Sequence, residues 1–136
     1  MYSKIIVPVD MAQIEKGEGI LRRAMVLRGE GGRIVLLNVT ENLPGYLTIE
    51  VPADFIDQNV ADATARLKAL DAACGANAEI SVKVGAPADQ ILTLADEIGA
   101  DLIMIASHRP NFSNYLLGAT ADRVVRHAKC SVLVDR

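Results

Sequence analysis

Short apolar runs alternate with longer amphipathic segments along the whole chain of 136 residues. Five of these runs hold four to seven residues rich in Val, Ile and Leu, a length too short for a helix and typical of buried strands. In the longer segments between them, apolar residues recur at helical spacing. The pattern predicts strands at 3–9, 33–39, 78–84, 101–106 and 131–134, helices at 14–28, 54–74 and 87–98, and a last helix that follows 115–120 and carries Ala121, Val124, Val125 and Ala128 on one face.

Strands that alternate with helices indicate an α/β fold with a mostly parallel sheet and helices on both of its faces. The segment 78–84 alternates apolar and polar residues and is predicted to be an edge strand with one wet face. The length of the chain favours one domain over residues 1–136, large enough to bury a core. In such a fold a ligand binds at the carboxyl ends of the strands, where the strand order reverses.

Two stretches of the chain are rich in turn-forming residues. The glycine-rich stretch 29–32 is interpreted as the end of the first helix. A phosphate loop is the alternative, but no Lys-Ser or Lys-Thr follows and no strand precedes the stretch. The stretch 40–53 is predicted to be a long connection, of a kind that is often functional. Its apolar residues Tyr46, Leu47 and Ile49 either pack on the domain or cover a ligand or a partner.

Composition argues against several classes of function. A net charge of −3 and a pI near 5.3 argue against nucleic acid as a partner. The chain has no leader-like start and no apolar run of membrane-spanning length, so a cytoplasmic protein without a membrane partner is expected. Cys74 and Cys130 lack a C-x-x-C spacing and are expected to be reduced, and the two histidines form no metal motif.

Candidate chemistry gathers after the predicted strand 101–106. A polar loop, a glycine and a helix follow it, so the loop and the helix N-terminus are predicted to lie at the carboxyl end of that strand. A helix N-terminus attracts phosphate through its free N–H groups and its partial positive charge. Gly118 permits close approach to the backbone, Thr120 offers a hydroxyl, and His108 and Arg109 add cationic character. The alternative is an ordinary strand–loop–helix connection in which the glycine only serves a turn.

Two further polar features need an interpretation. Asp10 follows the end of the first strand, and its simplest role is to form a turn or to cap a helix. Ser107 next to His108 invites a nucleophile–base interpretation. Adjacent residues on an extended loop usually point apart and no third group is evident to orient the imidazole, so this interpretation is not favoured.

Several stretches of the sequence together resemble one protein family. They are 105–110 (IASHRP), 115–118 (YLLG) and 124–134 (VVRHAKCSVLV), preceded in the same order by 4–10 (KIIVPVD) and 84–87 (VGAP). The chain resembles the universal stress protein family, and most closely its small single-domain, nucleotide-binding F/G-type branch. The resemblance extends over the whole chain and is thinnest between residues 42 and 77.

The resemblance implies a Rossmann-like, three-layer α/β sandwich whose five-stranded parallel sheet has the order 3-2-1-4-5 and carries four helices. It implies ATP as the ligand, with or without Mg²⁺, and a homodimer that pairs through the last strand and regulates protein partners in the stress response. It implies no catalytic residue and no metal-binding residue. Asp10 would contact the adenosine part of the nucleotide, and Val39 would lie beside the adenine ring. The implied binding residues are Pro8, Val9, Asp10, Val39, Ala106, Ser107, His108, Arg109, Pro110, Gly118, Ala119 and Thr120.

The implied phosphate-binding block departs from the broad family motif. Ala106 and Arg109 stand at its two early glycines, and a shorter spacing leads to Gly118, as in the F/G-type branch. That branch usually continues with serine after the glycine, whereas Ala119 and Thr120 follow here. The serine hydroxyl that could donate to phosphate is absent at Ala119, and Thr120 supplies a hydroxyl one residue later. Weaker binding than in relatives is therefore expected.

Three hypotheses of function remain open. The first is a nucleotide-binding regulatory module that changes its contacts with other proteins. The second is an enzyme of the same fold that hydrolyses ATP or transfers a phosphoryl group, for which only slow turnover is expected because no second carboxylate is placed near the phosphates. The third is a dimeric scaffold that binds no nucleotide because of Ala119.

Overall fold

A computed structural model describes residues 1–41, 54–107 and 118–136 of the chain. The strands are β1 (Tyr2–Pro8), β2 (Arg28–Thr40), β3 (Glu79–Val84), β4 (Leu102–Ala106) and β5 (Ser131–Asp135). The helices are α1 (Ile14–Leu27), α2 (Phe55–Cys74), α3 (Pro87–Ile98) and α4 (Ala119–His127). A short 3₁₀ helix at Met11–Gln13 leads into α1 and is not predicted by the sequence pattern.

The five strands form one parallel sheet in the order β3-β2-β1-β4-β5. This order confirms the expectation and places β3 and β5 at the two edges. The strand order reverses between β1 and β4, because β2 and β3 lie on one side of β1 while β4 and β5 lie on the other. The carboxyl ends of β1 and β4 therefore flank the point at which a doubly wound sheet opens a crevice.

Alternate side chains of the central strands enter two apolar layers, one on each face of the sheet. One layer contains Leu21 of α1 and Leu67 of α2. The other contains Ile91 of α3 and Val124 of α4. Helices on both faces of the sheet confirm the expected three-layer arrangement.

The first helix stops within one residue of its predicted end, but the prediction that the second strand begins only after the glycine-rich stretch 29–32 is wrong. Helix α1 ends at Leu27 and β2 begins at the next residue, so the four residues belong to the strand. The pairing is irregular there, because Tyr2 pairs with Arg28 and the register shifts before pairing resumes between Lys4 and Arg33. A Cβ on Gly32 would lie 2.8 Å from Arg28 Cγ and 3.0 Å from the Tyr2 carbonyl oxygen, so glycine permits this close approach.

Asp101, which precedes β4, ties the start of β4 to the start of β1. Its carboxylate accepts hydrogen bonds from the backbone N–H groups of Ser3 and Lys4, both at 2.8 Å. Its own N–H donates to the Lys4 carbonyl oxygen at 3.0 Å. Burial acts to raise the pKa of Asp101, but the N–H donors favour the carboxylate and hold the pKa below its usual value.

We expect Asp101→Asn to lower the free energy of unfolding at neutral pH by about 1 kcal/mol, because the amide loses the charge-assisted bonds. A depressed folded-state pKa stabilises the fold above the unfolded-state pKa of about 3.9, and this contribution is lost as the pH falls through the folded-state pKa. The difference between variant and wild type should therefore shrink below about pH 4. Urea denaturation across this pH range measures it.

Asp96→Asn is the matched control for that experiment. Asp96 is exposed and pairs with Lys129 at 3.8 Å, so the loss of this surface pair should change stability by less than about 0.5 kcal/mol. Equal losses for the two variants at neutral pH would contradict the role of Asp101.

Candidate functional site

A cavity of about 480 Å³ opens at the carboxyl ends of β1, β2 and β4, beside the N-termini of α3 and α4. Predicted site residues from separate parts of the chain line it together: Pro8, Val9, Asp10, Val39, Ala106, Gly118, Ala119 and Thr120. The structure thus brings these residues to one place. The predicted site residues His108, Arg109 and Pro110 lie outside the described residues.

Ser107 is a predicted site residue that does not appear in the described lining of the cavity. Its backbone N–H donates to the Asp135 carbonyl oxygen at 2.8 Å and prolongs the pairing of β4 with β5. That N–H group is therefore engaged within the sheet. The prediction that Ser107 contacts the ligand as a donor therefore depends on its side-chain hydroxyl.

The segment that follows β1 forms one wall of the cavity. Pro8 has no N–H, and pairing with β2 continues for one more residue through the Val9 N–H, which donates to the Leu37 carbonyl oxygen at 2.8 Å. The Nδ2 atom of Asn38 donates to the Val9 carbonyl oxygen, also at 2.8 Å. Both the N–H and the carbonyl group of Val9 are therefore hydrogen-bonded to β2.

Asp10 comes next on this wall, with an exposed side chain. Its Oδ1 atom accepts a hydrogen bond from the Ala12 N–H at 2.9 Å and caps the 3₁₀ helix. The capping role and a role in the site are compatible, because Asp10 also lines the cavity. Glu41, beyond the end of β2, adds a second carboxylate to the lining. The β1–β2 side of the cavity is therefore acidic.

The N-terminus of α4 forms the wall on the β4 side. Gly118 is the N-cap residue, and its carbonyl oxygen accepts the first helical bond from the Asp122 N–H at 2.9 Å. Gly118 has no side chain that could cap the first-turn N–H groups of this helix. Ala119, Thr120 and Ala121 all line the cavity. The partial positive charge of the helix N-terminus thus adjoins the cavity.

The sequence analysis misses several lining residues: Leu37, Asn38, Glu41, Pro87, Ile91, Ile105 and Ala121. Pro87 and Ile91 lie one helical turn apart at the start of α3, and periodicity alone does not say which face of the sheet α3 covers. Asn38 does carry a readable signal, because it is a polar residue in the buried, otherwise apolar part of β2. A buried side chain of this kind needs a hydrogen-bond partner.

Other reactive groups lie outside the described lining of the cavity. Cys74 and Cys130 are free cysteines, and burial raises the pKa of both thiols, which favours the unreactive thiol form. Among residues 1–41, 54–107 and 118–136, no cluster of three His, Cys, Asp or Glu side chains could hold a metal ion. None of the helices in those ranges is long and apolar enough to cross a membrane.

Gly17 of α1 packs on Val9 behind the cavity. A Cβ on Gly17 would lie 2.9 Å from Val9 Cγ1, whereas a Cβ on Gly19 would have no atom within 4 Å. We expect Gly19→Ala to raise the free energy of unfolding by about 0.5–1 kcal/mol, because alanine is the better helix former. Gly17→Ala should instead lower it by about 1 kcal/mol, because the stiff, β-branched Val9 side chain must move.

Urea denaturation of the two glycine variants measures this difference. Both substitutions add the same atom to the same helix, so the comparison reports the contacts that a Cβ on Gly17 makes, of which the contact with Val9 is the tightest. Equal stabilisation by Gly17→Ala and Gly19→Ala would show that α1 is not packed against the cavity wall as described.

Comparisons with known proteins agree with this fold. The model of the universal stress protein family matches residues 1–136, which is the whole chain. Universal stress protein G of Shigella flexneri is 34% identical over 145 residues, an alignment that covers 100% of both chains.

Two solved structures are similar over nearly the same length. A universal stress protein in complex with cAMP has a TM-score of 0.69 and 21% identity, with 99% of this chain and 97% of that chain covered. The universal stress protein of Archaeoglobus fulgidus in complex with dAMP has a TM-score of 0.59 and 22% identity, with 99% and 98% covered. These likenesses support the fold, and the full-length matches of sequence support common descent. The chain belongs to the universal stress protein family.

Proposed function

We propose that this chain binds ATP in the cavity and works as a nucleotide-dependent regulatory module of the cellular stress response. One observation carries the proposal. A single cavity combines a partly apolar, acidic side after β1 and β2 with a helix N-terminus after β4 whose N-cap residue is a glycine. These two sides suit the two ends of a nucleotide.

The β1–β2 side suits the nucleoside. Val39 offers apolar surface for a flat base at the end of β2, and Pro87 and Ile91 of α3 add apolar surface to the same cavity. The carboxylates of Asp10 and Glu41 are acceptors, which suit ribose hydroxyls and exocyclic amino groups. The cavity volume of about 480 Å³ also lies within the range of about 300–1,000 Å³ that is usual for small-molecule sites.

The N-terminus of α4 suits the phosphates. Its first-turn N–H groups and its dipole favour an anion, and Thr120 adds a hydroxyl donor. Asp10 and Glu41 would repel phosphates from the β1–β2 side, so the charges favour one orientation of the ligand. Mg²⁺ would bind mainly through the phosphates, as is usual for this ion.

Two structural relatives support an adenine nucleotide as the ligand. One was solved with cAMP and the other with dAMP. Both ligands share the adenine base and a phosphate with ATP. A cavity with a nucleoside side and a phosphate side would accept this whole class of ligand.

Calorimetric titration of the purified protein with ATP tests the proposal. We expect saturable binding for the wild type and about tenfold weaker binding for Asp10→Ala, which loses a charged acceptor. The absence of heat at millimolar ATP would contradict the proposal. Identification of the small molecule that copurifies with the protein separates this function from that of a scaffold, which would carry no nucleotide.

We infer that ATP hydrolysis is absent or slow. Fast phosphoryl transfer needs a positioned base or water, metal ligands and charge stabilisation. The carboxylates of the described lining, Asp10 and Glu41, follow β1 and β2, and Asp122 in the first turn of α4 is outside that lining and pairs with Arg126. We expect a phosphate-release assay to give less than about 1 s⁻¹, the low end for kinases. A faster turnover that disappears in a site variant would overturn this inference and favour the enzyme hypothesis.

The proposal also includes a cytoplasmic homodimer that pairs through β5. This strand is an edge of the sheet, and an uncovered edge is a site where another strand can add. Binding of ATP would then change the contacts of the dimer with its regulatory partners.

A further inference from the structure

Asn38 is the polar residue that is buried in the core of the described part of the chain, with only 6% of its surface exposed. It follows four buried apolar residues of β2, from Ile34 to Leu37. A buried amide is costly unless it is hydrogen-bonded, so a packing role alone would be better filled by an apolar residue. The place of Asn38 therefore calls for an explanation in terms of its hydrogen bond.

Asn38 donates its hydrogen bond to the Val9 carbonyl, which lies just beyond the last backbone hydrogen bond between the β1 segment and β2. Strand β1 ends at Pro8, and the last backbone bond from this segment to β2 is that of the Val9 N–H with Leu37. The Val9 carbonyl oxygen, one step farther, receives the Asn38 Nδ2–H at 2.8 Å. The amide must present its nitrogen to this oxygen, because its own oxygen would face another acceptor.

This bond controls the peptide group that leads into the cavity wall. The Val9 carbonyl belongs to the peptide that joins Val9 to Asp10, and both residues line the cavity. Asp10 in turn is held by its bond from the Ala12 N–H. A change in the orientation of the Val9–Asp10 peptide would therefore change where Asp10 stands in the site.

We propose that Asn38 is a positioning residue for the nucleotide site: its side-chain amide clamps the Val9 carbonyl and so fixes Asp10 for contact with the ligand. This inference rests on the proposed function. Asn38 itself is among the lining residues of the cavity, but the effect on ATP affinity that the proposal assigns to it passes through Val9 and Asp10.

Asn38→Asp tests the proposal by a pH profile. An ionised carboxylate cannot donate to the Val9 carbonyl, whereas a protonated carboxyl group can, and burial raises the pKa of such a group. We expect ATP affinity about tenfold below that of the wild type near pH 8, recovering towards the wild-type value as the pH falls to about 5. Titrations of the wild type at each pH remove the other effects of pH.

Asn38→Leu is the matched variant without a donor at any pH. It should bind ATP about tenfold more weakly than the wild type across the whole range. The backbone amide signal of Asp10 in a nuclear magnetic resonance spectrum gives a second measure, because this amide belongs to the clamped peptide. In Asn38→Asp without ATP, that signal should move towards its wild-type position as the pH falls.

The outcomes separate this inference from the proposed function. Wild-type affinity in folded Asn38→Asp and Asn38→Leu, or a loss in Asn38→Asp that does not recover at low pH, would overturn the positioning role while ATP binding stands. If the wild type binds no nucleotide, the proposed function fails. In that case the hydrogen bond from residue 38 to the Val9 carbonyl can still be tested, and an Asp10 amide signal that does not change with pH in Asn38→Asp would contradict it. If Asn38→Leu does not fold, the Asp10 amide signal of Asn38→Asp without ATP still decides the question, because repulsion between the new carboxylate and ATP cannot affect it.

Discussion

Ala119→Asp should weaken ATP binding at least about tenfold while the fold stays as stable as the wild type or becomes more stable. Ala119 is the first residue of α4, is exposed, and lines the cavity. A carboxylate there would stand beside the proposed phosphate position, where like charges a few ångströms apart repel by several kcal/mol at the effective dielectric of a protein surface. The same carboxylate favours the helix N-terminus by about 0.3–1 kcal/mol.

Calorimetric titration and thermal denaturation measure the two effects of Ala119→Asp separately. Ala119→Ser is the matched control, because it adds a hydroxyl donor instead of a charge and should raise ATP affinity by about threefold to tenfold. Adenosine, which lacks phosphates, should bind Ala119→Asp and the wild type alike. Equal loss of adenosine and ATP binding would mean that the α4 terminus is not the phosphate site.

Val132→Pro should convert a dimeric protein into a folded monomer. The Asp135 carbonyl oxygen accepts from the Ser107 N–H, so it faces β4. Backbone groups of a strand alternate in direction, and those of Leu133 therefore also face β4 while those of Val132 and Val134 face the open edge. Proline at Val132 removes an N–H that pairs with no strand of its own sheet, and it stiffens the edge.

Light scattering on the wild type and on Val132→Pro measures the oligomeric state. An isologous pair of β5 edges would lose a backbone bond twice, once for each copy, so the effect on association should be large. Leu133→Pro is the control, since it breaks a bond to β4 and should lower the stability of the fold itself. A monomeric wild type, or a folded Val132→Pro that stays fully dimeric, would contradict pairing through β5.

Much of the fold can be predicted from the sequence, because five short apolar runs separated by amphipathic segments admit few arrangements. The order of the strands came from the resemblance and not from the pattern. The sequence pattern does not assign the stretch 29–32 to the second strand, because a run of glycines suits both a helix stop and an irregular part of a strand. The choice between them depends on the Tyr2 carbonyl, which approaches Gly32 and lies far from it in sequence.

The candidate site can be predicted in part for a similar reason. Residues at the carboxyl ends of parallel strands meet at one edge of the sheet, which places Asp10 near the loop after β4, whereas Val39 and Ala106 are assigned to the site by the family resemblance. Pro87 could not be placed, because helical periodicity does not reveal which face of the sheet a helix covers. The engagement of the Ser107 N–H depends on the pairing of β4 with β5, which is a tertiary contact.

Nuclear magnetic resonance titration of isotopically labelled protein with ATP tests the central claim most directly. Saturable shifts are predicted for the backbone amides on both sides of the cavity, at Asp10 and Val39 and at Ala119 and Thr120. The amide of Gly75, at the end of α2, should not move. The claim would be contradicted by the absence of saturable shifts, or by shifts that leave the amides of the cavity unchanged.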